Sequence, residues 1–188
     1  MNDIKNKIID LFNDIEKNDI SYDDLKYTLQ TILEGNVDKK EVYSFLDLLH
    51  FSSVSKIISN KGDVDFWAMK IAYIIKKYNF HSGQLFIQRV KRYKEKTLFI
   101  TIEGDNVKTV SYNKFWNDLN IISKSIKSLS KNSDLSIGIL SFNQYKSAAV
   151  DLCCLAFGFR VVPIPLNSTR EHLSYIINEA SVTHLFIG

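Results

Sequence analysis

The spacing of apolar residues changes near residue 80, and this change constrains the fold more than any other feature of the sequence. The first 80 residues contain no proline and repeat apolar residues at helical spacing, which predicts about four helices. From about Phe80, short apolar runs alternate with helical patterns, and Gly and Asn stand at the joints. We therefore predict an all-helical module over residues 1–80 and an α/β unit over residues 81–188.

The helical module contains its own start and stop signals. Ser21 and Asp38 stand where capping boxes begin, and Gly35 offers a helix end between them. The last helix is predicted to open at Asp63 or Asp65. Its predicted buried face carries Trp67, Ile71, Ile74, Ile75 and Tyr78.

The α/β unit is predicted to hold a hairpin followed by alternating parallel strands and helices. A turn at residues 103–106 joins the two hairpin strands, and strand-helix-strand order implies a parallel sheet with right-handed crossovers. Ser168 with Glu171 is predicted to cap the last helix. The predicted elements are a helix over 85–93, strands over 97–102 and 107–111, a long helix from Phe115 to Leu129, strands over 135–141, 160–164 and 183–187, and helices over 144–157 and 169–180.

Both prolines of the chain, Pro163 and Pro165, stand at the carboxyl end of a predicted buried strand. Proline removes a backbone donor and ends strand pairing. The carboxyl edge of a parallel sheet is also where ligands usually bind. Two interpretations stay open, a plain strand terminator and a rigid edge of a binding site.

Composition argues against several function classes. The net charge is only +3, and the one basic run, residues 89–96, has a single aromatic residue within it, Tyr93. This pattern favours a solvated helix end over a nucleic-acid surface. Apolar runs are too short for a membrane span and no secretory leader is recognisable, so a cytoplasmic location is expected.

Candidate reactive residues are scattered through the sequence. Cys153 and Cys154 are adjacent within an apolar helix, which predicts small buried side chains. His50 has no second ligand at a useful spacing, and His172 and His184 stand 12 positions apart without a cluster of carboxylates. No catalytic, cofactor-binding or metal-binding residue is therefore predicted. The remaining candidates, which form neither an acid-base pair nor a dinucleotide turn, are Asp134, Gly138, Asp151 and Glu171.

Three stretches in residues 83–188 carry a resemblance to a known family. They are Leu85–Val90 with Lys96–Ile100, then Val110–Phe115, then Asn143 with Leu155–Ile164. In this order they resemble the start of the large amino-terminal domain of adenylate-forming enzymes, the superfamily of acyl-CoA synthetases, peptide synthetase adenylation domains and luciferases. In the third stretch Asn143 suits a helix cap, Gly158 a left-handed helix end and Pro163 a strand end. Phe157 and Phe159 depart from the family pattern, which has smaller residues there.

The resemblance implies an AMP-forming ligase. Such enzymes activate a carboxylic acid with Mg-ATP to an acyl-adenylate and pass the acyl group to a thiol of CoA or a carrier protein. Their Ser/Thr/Gly-rich phosphate loop with its lysine has no counterpart in this sequence. We therefore expect an amino-terminal fragment that is inactive alone, with ATP and Mg bound by the parent enzyme.

Two other hypotheses remain open. In one, the chain is a non-catalytic docking or scaffold protein of a polyketide or peptide synthase, and residues 1–80 bind a partner subunit or carrier protein. In the other, the parallel sheet binds a flavin, a suggestion that has only fold analogy behind it. The expected partners of the ligase itself are the remainder of the enzyme and its carrier protein.

Overall fold

The computed structural model describes residues 2–129 and 135–188. The chain divides into two units, Met1–His81 and Ser82–Gly188. Within the described part, the first unit is all-helical and has five helices, one more than the sequence predicts. They are α1 (Asn2–Lys17), α2 (Tyr22–Glu34), α3 (Lys39–Leu48), α4 (Ser52–Asn60) and α5 (Val64–Tyr78).

The predicted starts of α2 and α3 are confirmed by their hydrogen bonds. Ser21 Oγ accepts from the backbone N–H of Asp24 at 3.4 Å, and Asp38 Oδ1 accepts from that of Lys40 at 2.7 Å. Each bond satisfies a donor that the first helical turn leaves unpaired. Gly35 ends α2 in extended backbone, with φ −91°.

The apolar spacing left open whether the third helix extends or restarts through Val54, Ile57 and Ile58. The structure shows a restart, with separate helices α3 and α4, because the chain turns at residues 49–51. One prediction in this unit was wrong in detail. On α5, Ile75 is 37% exposed, whereas Trp67 and Ile74 are buried. Asp63 does precede α5, but its carboxylate accepts a hydrogen bond from Tyr22 Oη instead of capping the helix.

The first unit has a core of its own. Trp67 is 2% exposed and meets Tyr22 edge to face, with ring centroids 6.3 Å apart, and its Nε1–H donates to the Tyr22 hydroxyl at 3.4 Å. This bond satisfies the one polar group of a large buried ring. The other buried core residues are Ile8, Leu11, Ile15, Leu25, Leu29, Ile32, Val42, Phe45, Leu46, Leu48, Val54, Ile58 and Ile74.

The second unit has the predicted α/β order. An antiparallel hairpin turns at Gly104, whose φ of 62° suits glycine, and three parallel strands follow. The elements are α6 (Ser82–Tyr93), β1 (Thr97–Glu103), β2 (Asn106–Ser111), α7 (Tyr112–Leu129), β3 (Ser136–Leu140), α8 (Tyr145–Phe157), β4 (Arg160–Pro163), α9 (Arg170–Glu179) and β5 (His184–Ile187). The predicted fold class, a helical bundle followed by a hairpin and a parallel βαβαβ arrangement, is confirmed.

The parallel sheet has the strand order β4-β3-β5, so β3 lies between its two partners. Gly138 is at the centre of β3. A Cβ atom there would lie 2.9 Å from Leu185 Cδ1, 3.0 Å from Val182 Cγ1 and 3.1 Å from Ile164 Cδ1. Glycine at this position therefore serves packing.

Strand β4 was predicted to be buried, but it lies at an edge of the sheet and is half-exposed to exposed. An edge position explains why Pro163 can end it, since the missing donor breaks no interior ladder. The backbone N–H of Ile164 still donates to the carbonyl of Ile139 at 2.8 Å. The strand terminator interpretation of Pro163 is thus physically sound.

Helices α7 and α8 form the core of this unit with one face of the sheet. Phe115 and Leu119 are fully buried, as are Cys153 and Cys154, which confirms the prediction for the two thiols. Phe157 stacks on Trp116, with centroids 5.6 Å apart and 13° between the planes. Gly158 ends α8 in the predicted left-handed conformation, with φ 78°.

No helix within residues 2–129 and 135–188 is both long enough and apolar enough to cross a membrane.

Candidate ligand cleft

A cleft of about 1050 Å³ lies at the carboxyl ends of β3 and β4. Strand β1 forms one wall, the segment after β4 forms another, and the loop of residues 141–144 with the start of α8 lies between them. Both prolines, Pro163 and Pro165, line it. The other lining residues are Phe99, Ile100, Thr101, Ile102, Ile139, Ser141, Phe142, Asn143, Gln144, Tyr145, Ser147, Ala148, Asp151, Ile164 and Leu166.

Gln144 and Ser147 cap the amino end of α8. The backbone N–H of Gln144 donates to Ser147 Oγ at 3.1 Å, and this hydroxyl lies 2.8 Å from the carbonyl oxygen of Phe142. Asn143 was predicted to cap this helix, which is wrong, because the helix begins one residue later and Gln144 takes that position. Asn143 instead lies on the cleft wall.

Tyr145, the first residue of α8, anchors the cleft to α7. Its hydroxyl donates to Asp118 Oδ2 at 2.5 Å, and Lys114 pairs with the other oxygen of the same carboxylate. Burial acts to raise the pKa of Asp118, but the hydrogen bonds from Lys114 and Tyr145 outweigh it and the pKa falls below its ordinary value. Burial and the bond to Asp118 raise the pKa of Tyr145, so the hydroxyl stays a donor.

The ring of Tyr145 also fixes the hairpin. It meets Phe99 of β1 and Phe115 of α7 edge to face, in both cases with centroids 5.5 Å apart. Three elements that carry or support the cleft wall therefore converge on one side chain. Aromatic edge contacts of this kind add stabilisation beyond their buried area.

The charge of the cleft argues against a phosphate site. Among its lining residues, all in the described part of the chain, Asp151 is the only charged side chain and none is Lys, Arg or His. A triphosphate needs cations or several backbone amides to balance its charge. This surface supplies hydroxyl and amide groups between apolar walls, which suits uncharged atoms of a ligand.

The apolar rim was not predicted from the sequence. Ile100, Ile102, Phe142 and Leu166 all line the cleft, and their side chains are between 46% and 71% exposed. Exposed apolar groups that share one concave surface mark an interaction site. The only sequence signal for this rim was the alternation of Ile100 and Ile102 with polar Thr101. This alternation does not indicate which face of the strand is exposed.

His172, His184 and Glu171 of the second unit do not line the cleft. Within residues 2–129 and 135–188, no group of three His, Cys, Asp or Glu side chains is placed to hold a metal ion. His184 Nδ1 lies 3.0 Å from Thr183 Oγ1, and His172 belongs to the first turn of α9. Asp134 lies outside the described residues.

The cap of α9 is also corrected. The hydroxyl of Thr169, not that of Ser168, accepts from the backbone N–H of His172, at 3.2 Å. Ser168 Oγ is buried without a hydrogen-bond partner among the described residues. Hydrogen bonds from its own backbone N–H and from Thr169 lower the pKa of Glu171.

The family model for AMP-binding enzymes matches residues 86–187, more than half of the chain. The chain belongs to the AMP-binding enzyme family. The match begins within α6 and includes the hairpin, the parallel sheet and the cleft. No curated protein matches the chain.

Solved structures show the same fold at low identity. The amino-terminal subdomain of NpsA from Klebsiella oxytoca, in complex with 3-hydroxyanthranilyl-AMSN, is 12% identical with a TM-score of 0.51, over 57% of this chain and 26% of that chain. An artificially fused adenylation-PCP di-domain from the same organism, NpsA-ThdA, is 12% identical with a TM-score of 0.51, over 57% of this chain and 20% of that chain. IdnL1 is 15% identical with a TM-score of 0.51, over 57% of this chain and 22% of that chain. The chain thus spans 20 to 26% of the length of these structures, and its matched part has the fold of the start of an adenylation domain.

Proposed function

We propose that the protein is the amino-terminal part of an AMP-forming ligase, which activates a carboxylic acid with ATP to an acyl-adenylate and transfers the acyl group to a thiol of CoA or a carrier protein. The observation that carries the proposal is the family match over residues 86–187. The position of the cleft supports it, because ligands of parallel α/β folds bind at the carboxyl edge of the sheet.

Within this proposal, residues 82–188 supply structure and part of a binding surface. The lining of the cleft has no basic side chain, so the phosphates of ATP and the Mg ion are held elsewhere in the complete enzyme. Adenylate formation separates charge on a phosphate that must be balanced in the transition state. We therefore propose that the 188-residue chain alone is inactive.

The test is carboxylate-dependent exchange of labelled pyrophosphate into ATP. The coding sequence is read beyond the codon for Gly188, and any longer product is assayed beside the 188-residue chain with a panel of fatty, aryl and amino acids. We expect a downstream Ser/Thr/Gly-rich loop with a lysine, exchange by the longer protein and none by the short chain. A stop codon directly after Gly188, or no exchange by a longer protein with that loop, would refute the ligase proposal. Exchange by the short chain would refute its inactivity.

A second candidate function concerns residues 1–81. This unit lies outside the region that the family model matches and has its own buried core around Trp67. We propose that it recruits a carrier protein or an adjacent synthase subunit, alongside or instead of ligase activity. Saturable binding of the 188-residue chain to a subunit encoded beside it, lost when residues 1–81 are deleted, is the expected result. Equal binding by the deleted chain would refute it.

A further inference from the structure

The middle of helix α5 is apolar on its outer face as well as on its inner face. The inner face carries Trp67 and Ile74, both buried in the core of residues 1–81. A helix that is apolar all round is usually covered on both sides. The residues on the outer face are all exposed and follow the spacing i, i+3, i+4, i+7, i+8, i+11 of one helix face. We call them the outer stripe of α5, which consists of Asp65, Ala68, Met69, Ala72, Tyr73 and Lys76.

The outer stripe is complementary to itself in reverse order. When two copies of α5 lie antiparallel about a point midway between positions 70 and 71, Ala68 faces Tyr73 of the other copy. Met69 then faces Ala72, so each large side chain meets a small one. Asp65 faces Lys76 at both ends. Such reciprocal contacts, in which residue i meets j and j meets i, define a two-fold interface.

Charge selects this arrangement over others. Asp65 and Lys76 are eleven positions apart, about 16 Å along one helix, and do not meet within a single copy of α5. In a parallel pair, aspartate would face aspartate and lysine would face lysine. Only the antiparallel pair combines opposite charges with matched side-chain sizes.

We propose that the outer stripe of α5 binds a second copy of this chain in an antiparallel, two-fold contact. Helices pack with their axes 8–10 Å apart, a distance that alanines facing Met69 and Tyr73 permit. Met69 and Tyr73 are 64% and 54% exposed in one chain and become covered in the pair. A single pair of short helices buries less than the roughly 800 Å² per partner of a stable complex, so the dimer is weak and salt-dependent.

The test uses charge exchange in the complete 188-residue chain. Asp65→Lys places two lysines opposite each other at both ends of the pair, and Lys76→Asp does the same with two aspartates. Each variant is expected to weaken dimerisation, measured by sedimentation equilibrium at low salt, by about tenfold or more. An equimolar mixture of the two variants restores opposite charges at both ends, so heterodimers form with about the wild-type affinity.

Two further variants complete the experiment. Met69→Lys introduces a charge within the stripe and is expected to abolish the dimer. Tyr27→Lys alters a side chain on α2 that is similarly exposed, at 58%, and is expected to leave it unchanged. Circular dichroism is used to check that each variant folds.

Three results would overturn the proposal. The first is a wild-type chain that stays monomeric at millimolar concentration. The second is association that none of the α5 variants changes, which would assign it to another surface such as the apolar rim of the cleft. The third is a mixture that fails to recover, which would show that Asp65 and Lys76 do not face each other between copies.

Discussion

Replacement of Gly138 by alanine tests the packing of the parallel sheet. The added Cβ would lie 2.9 to 3.1 Å from three methyl groups, those of Leu185, Val182 and Ile164. These distances are well inside the optimal carbon-carbon separation of about 3.5 to 4.0 Å, so at least one neighbour must move. Overpacking of this kind costs about 1 to 3 kcal/mol.

A smaller effect has the opposite sign. Alanine restricts the unfolded chain more than glycine and can contribute about 0.4 to 1 kcal/mol of stability. The net expectation for Gly138→Ala is a loss of about 1 to 2 kcal/mol from the second unit, a decrease in Tm of roughly 5 to 10 °C. Ile164→Val removes the Cδ1 methyl that the new Cβ approaches. The double variant is therefore expected to lose less stability than the sum of the single variants.

The assay must separate the two units, because a chain of two units need not unfold in one transition. The two tryptophans make this possible, since Trp67 lies in the first unit and Trp116 in the second. In a Trp67→Phe background, urea unfolding followed by fluorescence reports Trp116 alone. Gly138→Ala should lower the midpoint of this transition. An unchanged or raised midpoint, or additivity with Ile164→Val, would refute the packing argument.

Three other predictions concern side chains of the second unit. Asp118→Asn is expected to destabilise this unit near pH 7, as measured by urea unfolding. Because the pKa of Asp118 is lowered in the folded state, the difference in stability from wild type should shrink as pH falls below about 4. A pH-independent difference would contradict a role for the charged carboxylate. Burial raises the pKa of Cys153 to about 11 and that of Cys154 to about 12. Both thiols should therefore resist DTNB at pH 8 in the folded chain and react once urea unfolds it. Rapid reaction in the folded chain would contradict their burial. Thr169→Ala should lower the stability of this unit by about 1 kcal/mol in thermal unfolding, and Ser168→Ala should leave it nearly unchanged. A larger loss for Ser168→Ala than for Thr169→Ala would identify Ser168 as the cap.

Hydrophobic spacing predicted the elements well because each helix and strand buries one face. The stretch from Phe115 to Leu129 lies within α7, and the three parallel strands fall within one or two residues of their predicted ranges. Of the α5 residues predicted to face the core, only Ile75 is exposed. The spacing there is apolar on both faces, so periodicity alone could not show which side Ile75 occupies.

The cleft could be predicted only in part. Pro163 and Pro165 marked the carboxyl edge of the sheet, and both line the cleft. The opposite wall belongs to β1, more than 60 positions earlier in the chain, where Ile100 and Ile102 have no local signal for this role. Packing of the hairpin against Tyr145 brings the two walls together, and such long-range contacts leave no periodic trace in a sequence.

Both misassigned helix caps show how contacts beyond the cap decide between neighbouring candidates. Asn143 and Gln144 each carry a side chain that can accept a hydrogen bond, but the backbone N–H of Gln144 donates to Ser147 Oγ at 3.1 Å, which makes Gln144 the residue that precedes α8. For α9, the backbone N–H of Ser168 donates to the carbonyl of Pro165 at 3.1 Å, which commits Ser168 to a turn and leaves the cap to the next residue. Because Ser and Thr differ little as caps, a single hydrogen bond of about 1 kcal/mol is enough to move this helix boundary by one position.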